Sequence, residues 1–232
     1  MPLRFVDRPS PNHDARPPGA PIDMLVLHYT GMKTAEEALE RLCDPAAKVS
    51  AHYTVDRDGT VYAHVPEERR AWHAGVSFWA GESSVNACSL GIELVNPGHE
   101  FGYVPFTDEQ IASLIDLARD ILARHPISAR RVLGHSDVAP ARKTDPGELF
   151  PWRRLAEFGV GIWPAPRISQ SGRRPTDGAA FAANLTRFGY GILPDVPLEA
   201  VAAAFQRRFR PSCIDGIADD ECAVLLEELL VA

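Results

Sequence analysis

Two stretches far apart in the chain carry side chains able to share one metal ion. His28 lies in Leu27-His28-Tyr29-Thr30, His135 in Leu133-Gly134-His135-Ser136-Asp137, and Asp145 in Lys143-Thr144-Asp145-Pro146. Two imidazoles and one carboxylate match an open zinc site that keeps a fourth position for water. Water held there becomes acidic enough to attack an amide near neutral pH. Taken singly, each residue is ambiguous. A histidine beside a strand is commonly part of the core, and an aspartate before proline is commonly a turn residue. The conjunction carries the reading, which is metal-dependent hydrolysis.

Glu93 is the second signal. It stands inside Gly91-Ile92-Glu93-Leu94-Val95, where a carboxylate is costly to bury unless paired, metal-linked or active. Beside a zinc-bound water it would take the proton and pass it to the leaving amine. The competing reading is an edge strand with Glu93 in solvent. Lys143 precedes Asp145 by two, so in an extended segment both side chains share a face. A fixed cation there would steady an oxyanion; otherwise Lys143 is a solvated surface lysine. His73, in Ala71-Trp72-His73-Ala74-Gly75, sits among aromatics as a candidate substrate contact, whereas His52 reads as structural. Tyr29 and Trp79 are open between core packing and sugar-stacking faces.

These residues need elements to hold them. The first twenty residues, rich in Pro, Asn and Arg, read as an extended lead-in. Met24 to Tyr29 is an apolar run expected to be a buried strand with His28 at its carboxyl end, where sites of α/β sheets collect. Thr34 is the expected cap of a helix that turns Ala38, Leu39, Leu42 and Cys43 inward. His52 to Val55 and Thr60 to His64 read as a hairpin around Asp58-Gly59. The aperiodic, aromatic-rich stretch from Pro66 to Ser89 reads as a functional loop. Thr107 with Gln110 is expected to form a capping box ahead of a helix burying Ile111, Leu114, Ile115, Ala118, Ile121 and Leu122. Arg131 to His135 reads as a short strand and Pro151 to Phe158 as a helix. The result is an α/β catalytic domain over 1–164. A Pro-, Arg-, Ser- and Gly-rich linker over 165–176 follows. Three short helices over 177–232 complete the chain, the last burying Ala223, Leu226, Leu229 and Leu230.

Composition narrows the function classes. The chain has 232 residues, 45% of them hydrophobic, and a net charge of −7. With no block of Lys or Arg, nucleic acid and anionic membrane surfaces are not expected partners. No apolar run is long enough to span a bilayer. The four cysteines (Cys43, Cys88, Cys213, Cys222) show no C-x-x-C spacing, which argues against a zinc knuckle or a redox pair. With no signal-like apolar core at the amino terminus, a cytoplasmic location is the expectation.

Seven ordered segments cover most of residues 22 to 160. They are Val26-Leu27-His28-Tyr29-Thr30, Val49-Ser50-Ala51-His52-Tyr53, Arg57-Asp58-Gly59, Ala71-Trp72-His73-Ala74-Gly75-Val76-Ser77, Ser89-Leu90-Gly91-Ile92-Glu93-Leu94, Gly134-His135-Ser136-Asp137 and Lys143-Thr144-Asp145-Pro146-Gly147. In these the chain resembles the zinc-dependent N-acetylmuramoyl-L-alanine amidases of the type-2 family, whose fold phage lysozyme-amidases and peptidoglycan-recognition proteins share. The resemblance implies a mixed β-sheet flanked by helices. It implies one zinc ion on His28, His135 and Asp145, with Glu93 and Lys143 as the catalytic pair. It places Tyr29, Lys48, Trp72, His73 and Asn86 on the substrate path. The implied reaction cuts the amide between the lactyl group of N-acetylmuramic acid, in its anhydro form or not, and L-alanine, with peptidoglycan fragments as partners.

Two departures bear on substrate grip. Ser83-Ser84-Val85-Asn86 stands where cytosolic recycling members carry an arginine before Asn-x-x-Ser. Lys48 stands where they carry a second one, and a point charge replaces a fork. The tail, through Phe188-Gly189-Tyr190-Gly191, Ala203-Ala204-Phe205-Gln206-Arg207-Arg208-Phe209 and Asp215-Gly216-Ile217-Ala218-Asp219, resembles a three-helix peptidoglycan-binding domain. Tyr29 and this tail look more like the broad-specificity branch. A recognition protein of the same fold that binds without cutting is the alternative. The full ligand set with Glu93 and Lys143 favours the enzyme.

Overall fold

The computed structural model describes residues 3–164 and 174–231. In chain order the elements are β1 (Phe5–Asp7), β2 (His13–Ala15), β3 (Met24–Tyr29), α1 (Ala35–Cys43), β4 (Tyr53–Val55), β5 (Val61–Ala63), β6 (Arg69–Ala71), α2 (Val85–Cys88), β7 (Ser89–Leu94), α3 (Gly98–Phe101), α4 (Asp108–Arg124), β8 (Val132–Gly134), α5 (His135–Val138), α6 (Trp152–Glu157), α7 (Gly178–Phe188), α8 (Leu198–Phe209) and α9 (Asp220–Val231). The extended lead-in contributes two short strands, β1 and β2. Six strands form one sheet in the order β1-β5-β4-β7-β3-β8, and β2 pairs with β6 beside it. Only β4 and β5 run antiparallel within the larger sheet, as the Asp58-Gly59 hairpin requires. The remaining pairings in that sheet are parallel.

Strand parity decides what each face meets. On β3, Leu25 and Leu27 point to one side with Leu90, Ile92 and Leu94 of β7, and α4 covers them through Ile111, Leu114, Ile115, Ala118 and Ile121. Thr107 caps α4 by accepting from the Gln110 N–H, but Gln110 does not complete the box. Its buried amide instead donates to the carbonyls of Val55 and Val95, at 2.9 and 3.1 Å. Tertiary demand thereby overrides the local motif.

Met24 and Val26 point to the other side and, with Leu133, share a core with Phe181, Leu185 and Phe188 of α7, Tyr190 of the loop after it, and Phe205 and Phe209 of α8. Large side chains fully buried in this way contribute on the order of 1.5–3 kcal/mol each, so the helices share one core with the sheet. Trp79 is buried against Phe188 and Tyr190, which resolves it as core rather than a sugar-stacking face. Of the expected linker over 165–176, residues 165–173 lie outside the described residues and 174–176 lie within them. There the Thr176 N–H donates to Ala218 O. Asp219 caps α9 by accepting from the Cys222 N–H. The buried stripe of α9 is Cys222, Leu225, Leu226 and Leu229, rotated from the expected one, with Ala223 and Leu230 only half-buried.

His28 and Glu93 follow the parity of Met24 and Val26, at the carboxyl ends of two adjacent central strands. The parallel register sets His28 directly opposite Glu93.

Candidate active site

A cleft of about 650 Å³ opens at the carboxyl end of the sheet, lined by His28, Tyr29, Trp72, His73, Glu93, His135, Lys143 and Asp145 among others. Strand β3 delivers His28, β8 ends on the residue before His135, and the loop after α5 carries Lys143 and Asp145. The Ser136 N–H donates to the Asp145 carbonyl at 2.9 Å, folding that loop back onto the histidine.

Three side-chain atoms meet at one point. His28 Nδ1 lies 3.0 Å from His135 Nδ1 and 3.1 Å from Asp145 Oδ2, and His135 Nδ1 lies 3.0 Å from the same oxygen. All three residues are buried, and they are the one such group among the described residues. Burial and the neighbouring His135 bring His28 down to about 4, so it is neutral near pH 7. Burial pushes the Asp145 carboxyl up, but when the two imidazoles are protonated their charge and hydrogen bonds override it and hold the carboxylate below its usual range.

The donor chemistry tests whether a cation fits. The second nitrogen of His135, Nε2, faces the Ala74 carbonyl at 3.0 Å. A carbonyl only accepts, so Nε2 carries the proton and Nδ1 turns a lone pair toward the carboxylate oxygen. Two acceptors face each other across 3.0 Å. A cation bound by both resolves that contact, and a ligand triangle of this size suits zinc, whose bonds to such donors are about 2.0–2.2 Å. These residues fit the metal.

Glu93 stands next to this group on a central strand, not on an edge. The residue is half-buried, and its Oε2 is fully buried with no hydrogen-bond partner. Burial pushes its carboxyl well above the ordinary range, Asp145 adds to the rise and Lys143 opposes it. A carboxyl group that is unpaired and raised toward neutrality is suited to taking and returning a proton.

The expected substrate contacts divide. Tyr29 and Trp72 line the cleft, and the Tyr29 hydroxyl sits 3.0 Å from both Thr144 Oγ1 and His99 Nδ1. His73 reaches the cleft wall but is buried behind His28, its Nδ1 3.1 Å from His28 Nε2. Asn86 does not line the cleft. Its Oδ1 accepts from the N–H groups of His73 and Ala74 and pins that segment. Lys48 is exposed in a left-handed conformation, φ 51°, and leaves the cleft wall to Val49 and Ser50. Positive φ turns the lysine away from the extended course a strand-like lead into Val49 suggests.

Arg41, Arg142, Thr144 and Phe101 line the cleft unforeseen. Arg142 donates to the carbonyls of Ala74 and Val76 and fixes the far wall. Only Thr144, between Lys143 and Asp145, had a sequence signal.

Comparison with known proteins agrees with this geometry. Residues 18–148 match the family model described as N-acetylmuramoyl-L-alanine amidase. The chain is 40% identical over 230 residues to N-acetylmuramoyl-L-alanine amidase AmiD of Escherichia coli, spanning 90% of this chain and 82% of that protein. It is 38% identical over 164 residues to 1,6-anhydro-N-acetylmuramyl-L-alanine amidase AmpD of Enterobacter cloacae, spanning 63% of this chain and 86% of that one. The solved structure of E. coli AmiD with anhydro-N-acetylmuramic acid-L-Ala-D-gamma-Glu-L-Lys superposes with a TM-score of 0.84 at 38% identity, covering 93% of this chain and 91% of that one. A mixed sheet with helices on both faces, a His-His-Asp triangle beside a buried glutamate, and these relatives agree: the chain belongs to the N-acetylmuramoyl-L-alanine amidase family.

Proposed function

We propose that this enzyme hydrolyses the amide between the lactyl group of N-acetylmuramic acid, in its anhydro form or not, and the L-alanine of the stem peptide, with one zinc ion held by His28, His135 and Asp145. The observation that carries the reading is the buried triangle of metal donors at 3.0–3.1 Å beside the unpaired Glu93 carboxyl group.

Zinc, when bound there, supplies Lewis acidity toward a carbonyl oxygen and acidifies water. The protein supplies the rest. Glu93 Oε2, without a partner of its own, accepts the proton of the attacking nucleophile and gives it to the departing amine. Lys143, in the cleft wall near Asp145, places a positive charge where the carbonyl oxygen becomes negative. Tyr29 and Trp72 offer flat walls to the substrate. The partners on this reading are soluble peptidoglycan fragments, and the carboxyl-terminal helices complete the core beneath the sheet rather than anchoring the chain to intact wall. Four cysteines without a disulfide support a cytoplasmic location.

The decisive assay combines zinc analysis of the purified chain with release of stem peptide from muropeptides, with and without the anhydro group. Zinc near one per chain together with peptide release is expected. A zinc-loaded protein that frees no peptide overturns the reading. Fractionation of the native protein tests the location, and recovery from the periplasm overturns that part alone.

A further inference from the structure

Behind the metal donors the chain builds a second layer, and it is asymmetric. His135 is oriented by a backbone carbonyl, Ala74 O, which has no choice of role. His28 is oriented by another imidazole, His73, whose own role depends on which nitrogen carries its proton. That choice is made one step further out. Ser89 Oγ lies 2.6 Å from the carbonyl of Val85, which only accepts, so the hydroxyl proton is committed there. The oxygen that remains faces His73 Nε2 at 3.2 Å as an acceptor, and His73 Nε2 therefore donates. His73 Nδ1 is left as a lone pair directed at His28 Nε2, 3.1 Å away, so His28 Nε2 donates to it. His28 Nδ1, the atom that faces His135 and Asp145, is then free of its proton.

We propose that His73 is the positioning residue that fixes His28 in its metal-binding tautomer, with Ser89 setting the direction of the relay. This role rests on the zinc reading above. Two features show that the ring is built in and not merely adjacent. Gly91 lies beneath it, where a Cβ would come within 2.5 Å of the imidazole. Asn86 Oδ1 accepts from both the His73 and the Ala74 N–H, so one short segment holds the outer partners of both histidine ligands. His73 reaches the cleft wall as well, but its two ring nitrogens are engaged by His28 and Ser89. Outer partners of this kind commonly set metal affinity by 10–100-fold.

The test compares three proteins in zinc competition against a chromophoric chelator: wild type, His73→Asn and His73→Leu. Asn and Leu have nearly the same shape, but only Asn keeps an acceptor near the place of Nδ1. Zinc affinity is expected to fall about 10–100-fold in His73→Leu and distinctly less in His73→Asn. Nitrogen-15 NMR of the metal-free proteins gives a second readout. His28 should be the Nε2–H tautomer in wild type and lose that preference in His73→Leu. Ser89→Ala, a smaller change, should loosen the same preference without touching either ring.

Equal zinc affinity in all three proteins, or equal loss in the Asn and Leu variants, overturns the orienting role while leaving zinc in place. A folded wild type that binds no zinc overturns the zinc reading and this role with it. The wild-type arm tells the two failures apart.

Discussion

Two buried polar clusters lie within a few residues of each other, and they are built on opposite principles. Around Asp137, two positions after the ligand His135, charge is matched. Its Oδ2 accepts from Arg208 Nη1 at 2.6 Å and from the Gly134 N–H at 2.8 Å, and its Oδ1 from the Tyr190 hydroxyl at 2.6 Å. Arg208 also donates to Val132 O and lies over the Trp152 ring at 4.3 Å. Around Asp145, three lone-pair atoms converge at 3.0–3.1 Å and the Glu93 Oε2 beside them has no partner. In the first cluster both Asp137 oxygens find donors within the protein, although Arg208 Nε is left without an acceptor. The second is complete only with something added. A buried polar group therefore points to structure when its partners come from the same chain, and to chemistry when they do not.

The largest expected effect falls on the incomplete side. Glu93→Gln should keep zinc at wild-type stoichiometry and lose about 10²–10⁴-fold in turnover of muropeptide. Retained turnover would move proton transfer to another group.

On the complete side, Arg208→Ala leaves Asp137 charged and buried without its cation. It should cost about 3–5 kcal/mol in urea denaturation. A loss below 1 kcal/mol would show that the cluster tolerates an unmatched charge and would weaken the contrast.

Gly91→Ala pushes a methyl against a ring held at both of its nitrogens. A cost of about 1–3 kcal/mol is expected for such overpacking, together with weaker zinc binding.

Asp145→Asn is the discriminating change of smaller size. It abolishes zinc binding, yet its amide protons can face the histidine lone pairs. In chelator, the metal-free variant should be as stable as metal-free wild type, or more stable by roughly 0.5–1.5 kcal/mol. Destabilisation like that of Arg208→Ala would erase the distinction between the clusters.

The smallest effect concerns a third cluster, also matched. Burial raises the Glu67 carboxyl, but hydrogen bonds from Arg124, His125 and Tyr53 override it and hold the group down at about 2. A depressed carboxyl contributes stability that is present above its unfolded value, near 4.5, and is lost as pH falls toward 2. Glu67→Gln should flatten that acid limb in pH-dependent thermal unfolding.

Reading the sequence located the second cluster better than the first, for a physical reason. His28 closes an apolar strand, Glu93 interrupts another, and Lys143 and Asp145 stand two apart, so each leaves a local anomaly. The helix bounds and the hairpin are local too, and they are legible for the same reason. The partners are not local. Arg208 is 71 positions from Asp137 and Tyr190 is 53. His73 is 45 from His28, so its place behind the ligand is invisible to spacing. Gln110 shows the converse, since a residue suited to a local cap spends its amide on two distant carbonyls. The compositional break over 165–176 likewise marks a linker, but nothing local shows that the aromatic residues beyond it complete the core beneath Met24 and Val26.

The opposition of His28 and Glu93 across β3 and β7 has a consequence for how this scaffold can diversify. Neighbouring strands are spaced about 4.8 Å apart by backbone hydrogen bonding, so the separation of these two reacting groups is metered by the sheet and not by any surrounding loop. The segments that wall the cleft around Met32 and Phe101 are free to lengthen, shorten or exchange side chains without altering that gauge. Substrate range is thereby uncoupled from reaction geometry, and a lineage can wander widely in the first while the second stands still.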